Sequence, residues 1–227
     1  MTRKKVQPKW LSSIKVLVWD LDGTLYQEIP EIKEGIHANA IKLVSKARKI
    51  SHEKAKALLQ ETYEKLGTLT QALIDLGVEK SYALSDEWYS GVQLKYLKRD
   101  ERLVQLFVKL KSWRHLIETN GARRLTIKKL KRLGLELSTF EKIFTNADMF
   151  GVLKPDLLPF QKVLEYTRLP AQAHLMIGDR DRTDLEPARK LGMKTCLVWG
   201  MSGSADICCS SIYQVASFLA PGIAVHA

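Results

Sequence analysis

The first regular pattern in the chain is Ile14-Lys15-Val16-Leu17-Val18-Trp19, an apolar, β-branched run that stops at Asp20 and Gly23. Such a run reads as a buried strand feeding a loop. The same form recurs at Trp113 to Glu118 before Thr119-Asn120-Gly121, at Ala173 to Ile177 before Gly178-Asp179, and at Lys194 to Trp199 before Gly200. Lys142 to Thr145 is a weaker fifth run. Between these runs the spacing turns helical: Ala122 to Leu133 with Gly134 as its stop, Leu157 to Thr167 ahead of Pro170, and Asp184 to Leu191 stopped by Gly192. Ser210 to Leu219 predicts a closing helix, with Ser210 or Ser211 as its N-cap.

Strand alternating with helix predicts an α/β fold: a Rossmann-like, doubly wound parallel sheet with helices on both faces. Residues 29–98 break the rhythm, with no strand pattern and several helix punctuation marks. Ser51 is placed to cap a helix starting at His52, Gly67 to end it, and Ser85 before Asp86-Glu87 to open another with acids at its positive end. The pattern predicts an inserted all-helical module of about four helices. The core is then residues 1–28 and 99–227, and the insert residues 29–98.

Composition narrows the class. With 227 residues and 45% hydrophobic content the chain can bury a proper core. The apolar stretch at Val16 to Trp19 is too short for a signal-peptide core or a membrane span, which predicts a cytoplasmic protein with no membrane partner. Cys196, Cys208 and Cys209 have no metal or redox spacing and read as incidental thiols. His37, His52, His115, His174 and His226 share no ligand spacing and read as surface or packing residues. The net charge is +11, and ten Lys or Arg lie between Arg102 and Arg132 against one acid, Glu118. A field of that sign attracts anions.

In an open parallel sheet, ligands bind beyond the carboxyl ends of the strands. Reading the residues just after each strand together collects Asp20, Asp22, Thr119, Asn120, Asp179 and Asp184 in one crevice, joined by Lys154 from a loop. Converging carboxylates repel unless a cation compensates, and all-oxygen ligation beside a phosphate suits Mg²⁺. Gly23 permits a sharp turn that aims N–H groups at an anion. Thr119 can donate a hydroxyl, the helix after Gly121 points its positive end at the same place, and Lys154 supplies a point charge.

Asp20-Leu21-Asp22-Gly23-Thr24-Leu25, Thr119-Asn120, Lys154-Pro155-Asp156 and Gly178-Asp179 with Asp184 resemble the four ordered motifs of haloacid-dehalogenase-like hydrolases. The resemblance spans roughly Ile14 to Trp199. It implies that Asp20 is a nucleophile forming an aspartyl-phosphate and that Asp22 is a general acid and then base. It implies Mg²⁺ held by Asp20, the Asp22 backbone carbonyl and Asp179, with Asp184 nearby, and a helical cap at residues 29–98. Leu25-Tyr26, the helical insert and Thr119-Asn120-Gly121 look most like the pyrimidine 5′-nucleotidase-like group. Arg180 departs from the pattern, since many relatives carry Ser there.

The function so implied is a phosphoric monoester hydrolase acting on a small phosphorylated metabolite, a nucleoside monophosphate or a sugar phosphate. Alternatives are a phosphosugar mutase of the same fold and a non-catalytic polyanion or nucleic-acid binder; the second leaves the carboxylates unexplained. A dehalogenase needs neither Mg²⁺ nor a protonated second Asp. An EF-hand would carry its glycine at loop position six, whereas Gly23 stands at position four. Thr145-Asn146 reads as ordinary turn chemistry and Asp181 as a solvent-facing acid. Tyr63, Trp88, Tyr89 and Tyr96 read as packing aromatics. Arg123 and Arg124, in the first turn after Gly121, are expected at the crevice mouth. No sequence feature bears on oligomeric state.

Overall fold

The computed structural model describes residues 8–85 and 87–219. Six parallel strands form one sheet in the order β3-β2-β1-β4-β5-β6. They are β1 (Val16–Trp19), β2 (Arg114–Glu118), β3 (Lys142–Phe144), β4 (His174–Gly178), β5 (Lys194–Val198) and β6 (Ile207–Cys209). β1 is central, with Trp19 paired to Ile117 on one side and Ile177 on the other. All four β1 side chains are buried, because alternate residues feed two cores. Leu17 and Trp19 pack on one face with Phe107 and Leu130, while Val16 and Val18 pack on the other with Phe160 and Leu185.

Chain order reverses direction between β1 and β4, so the switch point of the sheet lies where Asp20 and Asp179 leave their strands. The helices on the sheet are α6 (Glu101–Lys109), α7 (Arg123–Leu133), α8 (Leu158–Thr167), α9 (Glu186–Lys190) and α10 (Val215–Leu219). Gly134 stops α7 in the left-handed region at φ 85°, as the sequence predicts.

Residues between β1 and β2 form α1 (Pro30–Arg48), α2 (His52–Leu66), α3 (Leu69–Asp75), α4 (Lys80–Leu84) and α5 (Ser90–Tyr96) before α6. Ile32, Ile36, Ala40 and Val44 repeat every four residues on α1 and are buried. Ser51 caps α2, its hydroxyl accepting from Lys54 N at 3.4 Å, and Gly67 ends it. The insert thus carries five helices among the described residues rather than four.

Three local expectations are corrected. Ser85 closes α4 instead of opening a helix; its hydroxyl accepts from Glu87 N in a turn, and Asp86 lies outside the described residues. The Asp184 helix is a π-type turn at Asp181–Leu185 that runs into the short α9. The closing helix at Ser210 to Leu219 begins with a tight turn at Ile212–Gln214. Ser211 makes no capping bond there, and Ser210 binds the Gln214 side chain. The residues just before it, Ile207–Cys209, add the sixth strand.

Candidate functional site

Asp20 follows β1 directly and is 3% exposed. Its Oδ1 accepts from Lys154 Nζ at 2.8 Å and its Oδ2 from Thr24 Oγ1 at 2.8 Å. Burial raises its carboxyl above the ordinary range, with Lys154 pulling the other way. Lys154 is buried on every side by acids. Besides Asp20 it reaches Asp184 Oδ1 at 2.9 Å and Glu118 Oε2 at 3.0 Å, ion pairs not aligned as hydrogen bonds, and it donates to Glu118 O at 3.1 Å. Burial alone would depress the Lys154 ammonium; Asp184, Asp20 and Glu118 outweigh it and raise it well above its ordinary value.

Gly23 turns at φ 86°, and a Cβ there would stand 2.8 Å from Asp179 Cγ. The absent side chain is what lets Asp179 approach. Asp20, Asp179 and Asp184 bring carboxylate oxygens within 4.8 Å of one another. With Glu118 this makes four carboxylates against two cations: Lys154 pairs with Asp20, Glu118 and Asp184, and Arg180 stands 4.0 Å from Asp179. Burial first, then Asp184 and Asp20, push the Asp179 carboxyl up to about 7. Hard oxygens packed this closely with surplus negative charge fit a divalent cation such as Mg²⁺, and Asp20, Asp179 and Asp184 are the side chains placed to hold it.

The Asp22 carboxylate is not in that cluster. Lys129 Nζ donates to both its oxygens at 2.6 and 2.8 Å, Tyr26 OH donates to Oδ1, and Gln93 Nε2 adds a bond at 3.3 Å. Any metal contact from Asp22 is therefore left to its backbone carbonyl. Thr119 is buried, and its Oγ1 accepts from Gly121 N at 3.1 Å, which leaves the hydroxyl hydrogen to donate. Asn120 grips the Lys154 backbone from both sides: Oδ1 accepts from Lys154 N at 2.8 Å and Nδ2 donates to Lys154 O at 3.1 Å.

A cleft of about 380 Å³ opens over this arrangement. Asp22, Asp179 and Arg180 form its floor, and Lys33, His37, Tyr63 and Gln93 of the helical insert are among the residues of its roof. Trp88 and Tyr89 also line it, so of Tyr63, Trp88, Tyr89 and Tyr96 the first three face the cleft as well as packing. The insert is tied down by Arg182, which donates to Glu64 O at 2.6 Å and to Lys65 O at the end of α2. Asn146 Nδ2 also donates to Leu84 O at 2.8 Å.

Neither Arg123 nor Arg124 lines the cleft, contrary to the sequence reading. Arg123 turns to β3 and donates to Asp148 and to Ile143 O, because that carboxylate lies on the outer side of α7. The cation that α7 does send inward is Lys129. It occupies the buried stripe Leu125-Lys129-Leu133, a break in an apolar four-residue repeat that a sequence search could use. Glu118, the last residue of a buried strand, is the second residue missed. Asp181 stays outside the cluster, paired with Arg189 at 2.8 Å. His115 and His174 are packing residues with bonds to Leu110 O and Pro170 O. None of the three cysteines is in a disulfide, and Cys196 Sγ lies 3.8 Å from Cys209 Sγ.

The family model for haloacid dehalogenase-like hydrolases matches residues 17–198. Two archaeal proteins named glyceraldehyde 3-phosphate phosphatase are similar along most of their length. The one from Pyrococcus abyssi is 28% identical over 82% of this chain and 81% of its own, and the one from Methanocaldococcus jannaschii 29% over 80% and 83%. A phosphoglycolate phosphatase from Aquifex aeolicus is 24% identical over 82% and 86%. Among solved structures, a phosphatase from Thermococcus onnurineus superposes with a TM-score of 0.63, 22% identity and coverage of 91% of this chain and 98% of that one. Bacillus subtilis YfnB bound to magnesium gives 0.60, with 21% identity over 91% and 98%. With three motif segments lining one cleft at the switch point, Lys154 of the remaining one bonded to Asp20, and a model match across most of its length, this chain belongs to the haloacid dehalogenase-like hydrolases.

Proposed function

We propose that the chain is a Mg²⁺-dependent phosphatase that hydrolyses a small phosphomonoester through an aspartyl-phosphate on Asp20. The observation that carries this reading is Asp20 itself: a buried carboxylate at the switch point of the sheet, held by Lys154 within 4.8 Å of Asp179 and Asp184, directly beneath a small cleft that Asp22 and Asp179 line. The names of the phosphatase relatives support the reaction class, and sugar phosphates and phosphoglycolate are the ester types they suggest. Nucleoside monophosphates, favoured by the resemblance of Leu25-Tyr26, are the second class.

An Asp20 oxygen attacks phosphorus, the ester P–O bond breaks, and Asp22 gives a proton to the departing alcohol. Water then attacks the same phosphorus, Asp22 takes its proton, and the acyl-phosphate P–O bond breaks to return the Asp20 carboxylate and inorganic phosphate. Lys154, the Thr119 hydroxyl and the turn at Gly23 face the phosphoryl oxygens. Asn120 serves by fixing Lys154. Mg²⁺, when held by Asp20, Asp179, the Asp22 carbonyl and Asp184 nearby, supplies charge neutralisation that lets a dianion approach carboxylates. Residues 29–98 act as the cap that closes the cleft.

Phosphate release should be screened over sugar phosphates, phosphoglycolate, nucleoside monophosphates and p-nitrophenyl phosphate, with Mg²⁺ and then with excess chelator. Release that stops on chelation and returns with Mg²⁺ is expected. Unchanged turnover in chelator would overturn the metal assignment, and no release from any ester would overturn the phosphatase reading.

A further inference from the structure

Several polar side chains of the helical insert line the cleft, and Gln93 of α5 reaches Asp22 itself. It is 2% exposed, lines the cleft, and donates Nε2 to Asp22 Oδ1 at 3.3 Å. Its other polar atom, Oε1, is buried with no hydrogen-bond partner among the described residues. The two ends of an amide are told apart by what they face. Turned over, Gln93 would set its carbonyl oxygen against a carboxylate oxygen, acceptor against acceptor. Asp22 therefore fixes the amide with Nε2 inward, and Oε1 is left as an acceptor beside the acid.

Buried acceptors are rarely left unpaired, because losing water without a replacement is costly. Among the described residues no donor reaches Oε1, and the neighbouring donors Lys129 and Tyr26 are turned to Asp22. The donor has to come from the ligand. Oε1 and Nε2 share one carbon, so Oε1 lies one amide width from the nitrogen that bonds Asp22. In an ester whose oxygen faces Asp22, a hydroxyl on the carbon next to the ester carbon lies a similar distance from that oxygen.

We infer that Gln93 is a specificity-determining residue that accepts a hydrogen bond from a hydroxyl vicinal to the phosphoester, so that the substrate is a polyol or sugar phosphate. The inference rests on the phosphatase reading of the same site. A carboxylate in the vicinal position, as in phosphoglycolate, offers only acceptors when ionised and leaves Oε1 facing a like partner. An alkyl chain leaves it unpaired. A site built around a substrate hydroxyl discriminates strongly against analogues that lack it.

The test compares glycerol 1-phosphate, n-propyl phosphate, phosphoglycolate and p-nitrophenyl phosphate with the wild type and Gln93→Met in Mg²⁺. In the wild type, kcat/KM should be about 10- to 100-fold higher for glycerol 1-phosphate than for n-propyl phosphate. In Gln93→Met that ratio should collapse toward one. A wild-type ratio near one, a ratio that survives in Gln93→Met, or a preference for phosphoglycolate would overturn the inference. Turnover of p-nitrophenyl phosphate alongside any of these leaves the phosphatase reading standing; absence of turnover on all four esters overturns both. If Gln93→Met does not fold, binding decides. Asp20→Asn protein should gain more thermal stability from glycerol 1-phosphate than from n-propyl phosphate, and an equal gain counts against Gln93.

Discussion

Lys154 is the single ammonium among Asp20, Glu118 and Asp184, each within 3.0 Å, and Asp22 is held apart by Lys129. Two carboxylates two residues apart therefore sit in different surroundings and can do different work. Asp20→Asn should abolish turnover of every ester, since an amide does not attack phosphorus. Asp22→Asn should slow an alkyl phosphate by about 10²- to 10⁴-fold, the usual worth of a general acid, and spare the first step on p-nitrophenyl phosphate. Rapid quench and intact mass should then show phosphoenzyme in Asp22→Asn and none in Asp20→Asn. Equal failure on both esters with nothing trapped would refute this division of labour.

Glu118 supplies a second residue-scale prediction. Burial, opposed by Lys154, pushes its carboxyl from 4.5 up to about 7. Below pH 4.5 both folded and unfolded chains hold the proton. Between about 4.5 and 7 only the folded chain does, so metal-free stability should fall as pH rises through that window and level off above it. Each tenfold difference in proton affinity between the folded and unfolded chain is worth about 1.4 kcal/mol. Denaturant titrations in chelator at pH 5 and pH 8 should show a smaller difference for Glu118→Gln than for the wild type; an identical difference would remove Glu118 as the cause. Asp20 and Asp179 were legible in the sequence because each closes an apolar strand run, and Asp22 and Asp184 because they stand in the segments that follow those runs. Glu118 and Lys129 were hidden because both carry charge inside buried elements, where only their partners justify it.

At the scale of elements, the insert is held by its ends. The last carbonyls of α2 lack helical partners, and Arg182 supplies the charge and the donors they need. Arg182 sits in the π-type turn that also carries Asp184, so one turn serves both the acid cluster and the insert. Arg182→Ala should cost about 1 kcal/mol locally and speed hydrogen exchange at the C-terminal turn of α2, while β1 amides keep their protection. Uniform loss of protection would point to global destabilisation instead. Most of the core could be read from periodicity, as in β1 and α7, and α2 from its caps at Ser51 and Gly67. It failed at Ile207–Cys209, a three-residue edge strand set among serines, and around Ser85, where helices of five and seven residues are too short to show a repeat.

At the scale of the whole molecule, the sheet and its helices make a platform whose charged recess lies at the switch point. No helix among the described residues is long and apolar enough to cross a membrane. A ligand that binds only the folded state stabilises it by mass action, so Mg²⁺ should raise the unfolding midpoint of the wild type. Asp179→Asn should lose that increment, and a shift of unchanged size in the variant would place the ion elsewhere. Lys154 draws Asp20 and Asp184 to within 2.9 Å of its own nitrogen. The protein's own cation thus gathers these two carboxylates, so an arriving ion would meet them already together. Recovery after chelation should accordingly be complete within the mixing time of a stopped-flow mixer, with no lag in product formation.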